Sequence, residues 1–152
     1  MLLEQIGRPM KNGKWKEESG AALVEFAIVV LPLVILLFGI IEFSLILYDK
    51  AVLTNASREG ARFASLPGKT ETEIKTFVRN RVGTYLITFG SDTFDDDHIT
   101  LERSLELGQY VRRVTLNYVY EFLLLPGLST DFDGTIALTA ATVMRDEDQT
   151  TR

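Results

Sequence analysis

The chain has 152 residues, room for one modest domain beside a membrane segment, and a formal net charge of −5. It contains no cysteine, so a disulfide framework, a Cys-containing zinc site and a lipidated-cysteine anchor are all excluded. An acidic C-terminal region without a basic patch argues against nucleic-acid binding.

Taken in chain order, residues 1–20 are polar and carry Arg8, Lys11, Lys14 and Lys16 against Glu4, Glu17 and Glu18, a net of +1. Residues 21–41 then hold a single charge, Glu25, in twenty-one positions. As a helix this stretch rises about 31 Å, close to the thickness of a hydrocarbon core. It has no polar stripe of the kind a soluble core helix shows. A membrane span is therefore predicted, and the basic tail ahead of it favours an N-inside, C-outside orientation. Lys50, Arg58, Arg62 and Lys69 follow on the other side and oppose that bias.

The polar-to-apolar boundary is unlike that of a secretory signal, whose cleavage site follows the apolar region. Here Glu17-Glu18-Ser19-Gly20 ends the polar stretch and the apolar run starts at once. Glu25 interrupts it at the fifth residue, where a carboxylate costs a few kcal/mol unless it snorkels or finds a partner. Pro32 cannot donate to the Ile28 carbonyl, so a kink or local loosening is expected there; proline is also common in membrane helices generally. Glu42 reads as an interfacial carboxylate with no special role, and Tyr48 as a member of the outer headgroup belt.

From Asp49 to Leu66 there is no proline and the helical period continues. Leu53, Ala56, Ser57, Gly60 and Ala64 share one face, with Arg58, Glu59 and Arg62 opposite. A face of small residues allows close approach either to the chain's own sheet, the plainer use, or to another helix. Pro67-Gly68 ends the element. Thr70 and Glu73 have capping-box spacing and open a second helix, with Ile74, Phe77, Val78 and Tyr85 as its apolar face. Gly90-Ser91-Asp92 marks a loop.

Beyond that loop the period changes to two. Ile99, Leu101, Leu105 and Leu107 alternate, with Arg103 as the exception. Val114, Leu116, Tyr118, Tyr120 and Phe122 follow, then Ile136, Leu138, Ala140, Thr142 and Met144. Gly108-Gln109 suits a hairpin, residues 126–134 form a longer connection, and Asp146 to Arg152 reads as a solvated tail. The expected fold class is α+β, with a long N-terminal helix, a second helix and about three antiparallel strands. The expected organisation is a leader at 1–20, a transmembrane helix at 21–48, its extension at 49–66, an outer domain at 67–148 and a tail at 149–152.

No enzyme is expected. The one histidine, His98, has no nucleophile around it and reads as a surface residue at a strand start, and no phosphate-binding glycine loop or dinucleotide fingerprint appears. Asp92, Asp95, Asp96 and Asp97 offer oxygen ligands for calcium but lack the EF-hand glycine and terminal glutamate, so a solvated loop is the plainer reading. Asp131 and Asp133 read as turn residues. No cofactor, metal or small-molecule substrate is called for.

The segment Gly20-Ala21-Ala22-Leu23-Val24-Glu25-Phe26 resembles the processing site of type IV prepilin-like proteins. In that family a membrane aspartic peptidase cuts after the glycine, and a glutamate stands at the fifth mature position. Over residues 18–66, including Asn55, Ala56 and Arg58-Glu59-Gly60-Ala61-Arg62, the chain resembles TadE, a minor pilin-like (pseudopilin) component of tight-adherence Flp pilus systems; a TadF-type role stays open. The resemblance implies a pilin-like fold, an assembly role, and a bacterial inner-membrane location with the C-terminal domain periplasmic or extracellular. It implies the bilayer, a prepilin peptidase and other pilin or pilus-assembly subunits as partners. Gly20, Ala21, Glu25 and Phe26 would serve processing, while Glu25, Pro32, Leu53, Ala56, Ser57, Gly60 and Ala64 would serve assembly and helix packing. Cleavage would free the amine of Ala21, about 6 Å of axial rise from Glu25, and pairing within one chain or with a neighbour lowers the cost of both charges. The alternative is an uncleaved single-pass anchor, with Glu25 snorkelling, that carries an extracytoplasmic binding or sensor domain.

Overall fold

A computed structural model describes residues 14–89, 93–123 and 134–147, with side chains from residue 20 onward. The chain divides into two compact units that part between Phe38 and Gly39. Helix α1 (Lys14–Ala64) begins in the first and ends in the second, and it runs uninterrupted through Pro32. In the first unit the large apolar side chains from Leu23 to Phe38 are exposed, Val30 only partly so. By length and composition α1 contains a segment able to cross a membrane.

The second unit is an α+β domain. The rest of α1 and helix α2 (Glu71–Gly83) cover one face of an antiparallel sheet of strands β1 (Ile99–Glu106), β2 (Gln109–Glu121) and β3 (Thr135–Arg145), in the order β1-β2-β3. β2 is the central strand, and Val114, Leu116, Tyr118 and Tyr120 are all buried along it, as their period of two requires. On β3, Leu138 and Ala140 reach the core while Ile136 stays partly exposed at the strand's start.

The capping box forms as expected. The Thr70 hydroxyl accepts from the Glu73 N–H, and the Glu73 carboxylate accepts from the Thr70 N–H at 2.9 Å. That N–H, with the Thr70 hydroxyl and Lys69 behind it, holds the Glu73 carboxyl below the usual carboxylate range. The cap is therefore complete above the ordinary glutamate pKa and is lost as pH falls through the depressed one. Ile74, Val78 and Val82 are the buried face of α2, with Phe77 stacked on Phe63 at 4.6 Å between centroids. Tyr85 is not part of that face: the helix stops at Gly83, so its ring falls outside the period and is exposed.

The turn between β1 and β2 is Leu107-Gly108, one residue earlier than the sequence suggests. Glu106 pairs with Gln109, and both central residues have positive φ, 52° and 78°, the pattern of a type I′ hairpin turn. Leu107 is thus fully exposed at the hairpin tip and Leu105 is exposed beside it. Asp146 is not tail either. It is fully buried, with Arg103 Nε at 2.7 Å and Arg112 Nε at 3.1 Å from its Oδ2. Its N–H donates to the Tyr110 carbonyl and the next N–H, of Glu147, to the Ser65 carbonyl, so the end of β3 is tied to the end of α1. Arg103, the break in the β1 alternation, is there to meet this carboxylate. The Gly90-Ser91-Asp92 loop, most of the 126–134 connection with Asp131 and Asp133, and the final residues 149–152 lie outside the described residues.

At Gly60, α1 approaches the rest of the core closely. A Cβ there would stand 2.5 Å from a Val78 methyl and 3.5 Å from one of Val114. Val78 is fully buried and β-branched, so it has little room to turn away. Gly60→Ala is accordingly expected to lower the melting temperature, because an overpacking cost of about 1–3 kcal/mol outweighs the roughly 1 kcal/mol gained in helix propensity. An unchanged or raised midpoint in a thermal melt would contradict this packing.

Candidate functional site

The residues singled out by the sequence fall into two groups, one in each unit. Gly20, Ala21, Glu25 and Phe26 sit on the N-terminal part of α1, helical and exposed, as does Pro32 further along. An added Cβ at Gly20 would meet nothing within 4 Å, so no packing demand among the described residues explains a glycine there. Glu25 lies on the same helix one turn beyond Ala21, the spacing that axial pairing needs.

Leu53, Ala56, Ser57, Gly60 and Ala64 are all buried in the second unit. They form the face of α1 that lies against β2, β3 and α2, while Arg58, Glu59 and Arg62 point to solvent. Ser57 shows how closely the elements meet: its hydroxyl is 2.8 Å from that of Thr142 on β3 and also donates to the Thr54 carbonyl at 3.0 Å. This face is occupied by the chain's own domain.

The same face continues toward the N-terminus. Glu42, Ile46 and Asp49 are buried, in step with Leu53, Ala56 and Gly60. Glu42 is only 2% exposed. Its Oε1 accepts from the Leu123 N–H at 2.6 Å and from the Tyr120 hydroxyl at 3.2 Å. Burial, then the neighbouring charge of Glu42, pushes the Tyr120 phenol well above its usual range, so it remains a donor. Asp49 Oδ1 accepts from the Ile87 N–H at 3.0 Å, which ties the segment after α2 to α1. Its Oδ2 has no hydrogen-bond partner among the described residues. Glu42 is thus an interior anchor of the domain, and the expectation that it has no special role is corrected. The signal was present in the sequence: counting back from Leu53 in steps of four and three reaches Asp49, Ile46 and Glu42.

His98 is a part-buried structural residue, in place of the expected surface one. It ends a short 3-10 turn at Asp96–His98, its ring stacks on Phe94, and its Nδ1 is 2.9 Å from Asp95 Oδ1. The Asp97 N–H, and after it the His98 ring, hold the Asp95 carboxyl below the usual range. Asp96 is bonded to Arg79 at 2.7 Å. Asp92 lies outside the described residues, and among those described no group of three or more His, Asp or Glu side chains is placed to hold a metal.

These features define a class: an α+β protein whose one long N-terminal helix fits a single-pass membrane anchor and also serves as the spine of its folded domain. The family model described as TadE-like protein matches residues 20–62, within the segment on which the sequence resemblance rests. That match starts at Gly20 and runs through the small-residue face of α1. No curated protein and no solved structure matches the chain.

Proposed function

We propose that the protein is a structural subunit, a minor pilin-like (pseudopilin) component needed to build a tight-adherence Flp-type pilus or a related secretion machine. In this reading a prepilin peptidase removes residues 1–20 on the cytoplasmic side. The mature chain stays in the inner membrane by residues 21–48, with its domain outside. The observation that carries the proposal is that the TadE-like match begins at Gly20, the boundary at which a peptidase would cut. Three physical features support it. The residues from Gly20 to Phe26 are exposed on α1, and an added Cβ at Gly20 would meet nothing within 4 Å. Glu25, costly in lipid, gains a partner once the Ala21 amine is freed. The small-residue face from Leu53 to Ala64 is filled by the chain's own sheet and second helix, so contacts with other subunits fall to the apolar residues around Glu25 and Pro32.

Processing is the decisive test. Co-expressed with an active cognate prepilin peptidase, the chain is expected to lose residues 1–20 and begin at Ala21, and Gly20→Val is expected to abolish the cut. Intact mass and N-terminal sequencing of membrane-extracted protein read both outcomes. An unshifted mass would favour the uncleaved anchor with an extracytoplasmic binding or sensor domain.

A further inference from the structure

The run from Ala21 to Tyr48 holds only Glu25 and Glu42 as charges, and as a helix it is about 42 Å long. A hydrocarbon core is about 30 Å thick, and about 40–45 Å with its headgroup regions. Within the folded unit itself, α1 carries exposed Ile40, Ile41, Phe43, Leu47 and Tyr48, the C-terminal end of that apolar run. The folded domain is already built on this stretch. Glu42 is buried in it, bonded to Tyr120 and to the Leu123 N–H, while Phe43 and Leu47 on the opposite side of α1 stay exposed and apolar.

The parts of the domain gathered around Glu42 are apolar on their outer side as well. Leu123 is 55% exposed although its N–H reaches Glu42, and Phe89, whose ring meets Tyr120 edge-on, is 42% exposed. Two exposed tyrosines, Tyr48 and Tyr85, line one groove together with Glu59 and Arg81; tyrosine is a residue type enriched where a ring sits half in lipid and half in water. The opposite end of the sheet serves as a contrast. It carries the Leu107 tip between Glu106 and Gln109 and the paired Arg103, Arg112 and Asp146.

We propose that the domain itself is seated on the bilayer, with Phe89, Leu123, Tyr48 and Tyr85 as an interfacial collar in the headgroup layer of the outer leaflet. The occupant of this apolar rim is lipid, because Phe89 and Leu123 gather around the stretch of α1 whose exposed Ile40, Ile41, Phe43 and Leu47 continue the apolar run of the span. The inference rests on the membrane-span reading of residues 21–48 and goes beyond it, since a span alone requires no contact between domain and lipid.

The absence of cysteine makes single-site labelling direct. The full chain is reconstituted in phosphatidylethanolamine–phosphatidylglycerol nanodiscs with a nitroxide at Phe89→Cys, Leu123→Cys, Leu107→Cys or Leu36→Cys, all exposed positions. Collision with oxygen and with a water-soluble nickel complex then reports depth. The expected order is Leu36 deep in lipid, Phe89 and Leu123 in the headgroup layer, and Leu107 in water. Labels at Phe89 and Leu123 as open to nickel as at Leu107, with Leu36 still in lipid, would overturn the collar and leave the anchor reading standing. Shielding of both from nickel and oxygen alike would overturn it in favour of a protein partner. An aqueous Leu36 would overturn the collar together with the anchor.

Discussion

A fragment beginning at Pro67 is expected to show no cooperative unfolding transition, whereas one beginning at Gly39, in mild detergent, melts as a unit. The reason lies in what α1 contributes. Leu53 is fully buried and Ala56, Ala61 and Ala64 nearly so, and their removal uncovers Val78, Val114 and the inner side of β3. Truncating one buried leucine typically costs about 2–5 kcal/mol, and small domains have only about 5–15 kcal/mol in total. About 80 residues without disulfide or metal have no reserve to absorb the loss of a whole face. A fragment beginning at Asp49 should fall between the two, because it keeps Leu53 to Ala64 but leaves Tyr120 and the Leu123 N–H without Glu42. Near-ultraviolet circular dichroism during a thermal melt separates the three. Equal midpoints for the fragments from Gly39 and Pro67 would mean that α1 is not the spine of the domain.

That ordering also shows how far the sequence could be read. Hydrophobic period alone located α1, α2 and the three strands, because each element buries one face and each face leaves its mark on the pattern. Turn chemistry located the hairpin to within one residue: Gly108 is conspicuous, but a positive φ at Leu107 has no compositional sign. The small-residue face was legible since Gly60 and Ala64 make sense only under close packing. What escaped were the buried charges among the described residues, although helical period alone places Glu42 and Asp49 on the inner face. Glu42, Asp49 and Asp146 look like surface residues by type, and only partners distant in sequence make their burial tolerable: Tyr120 and Leu123, Ile87, and the two arginines. Such partners cannot be counted off along one chain segment. The segment from Gly20 to Phe26 is the reverse case: its proposed role rests on motif and placement, and its surroundings among the described residues add little.

Glu42→Leu is the substitution on which the two readings of this chain part most sharply. If Glu42 were a bystander at the membrane surface, leucine would only lengthen the apolar run, and the protein would insert as well or better. The structure predicts that insertion is indeed preserved but that the domain is destabilised. Two donors, the buried Tyr120 hydroxyl and the part-buried Leu123 N–H, lose their acceptor; a fully buried donor left unmet costs about 1–3 kcal/mol and a part-buried one less. Together they are expected to lower stability by about 2–4 kcal/mol, read as a lower melting midpoint with unchanged resistance to alkaline extraction from membranes. Glu42→Gln retains an acceptor oxygen at the same reach and should cost much less. Adding Tyr120→Phe to Glu42→Leu removes one of the stranded donors, and part of the lost stability should return, since deleting both members of a buried pair is less costly than deleting one. If the double substitution is instead as unstable as the sum of the two single ones, Tyr120 and Glu42 do not act as a pair. The tie between the end of β2 and the helix would then rest on the Leu123 N–H alone.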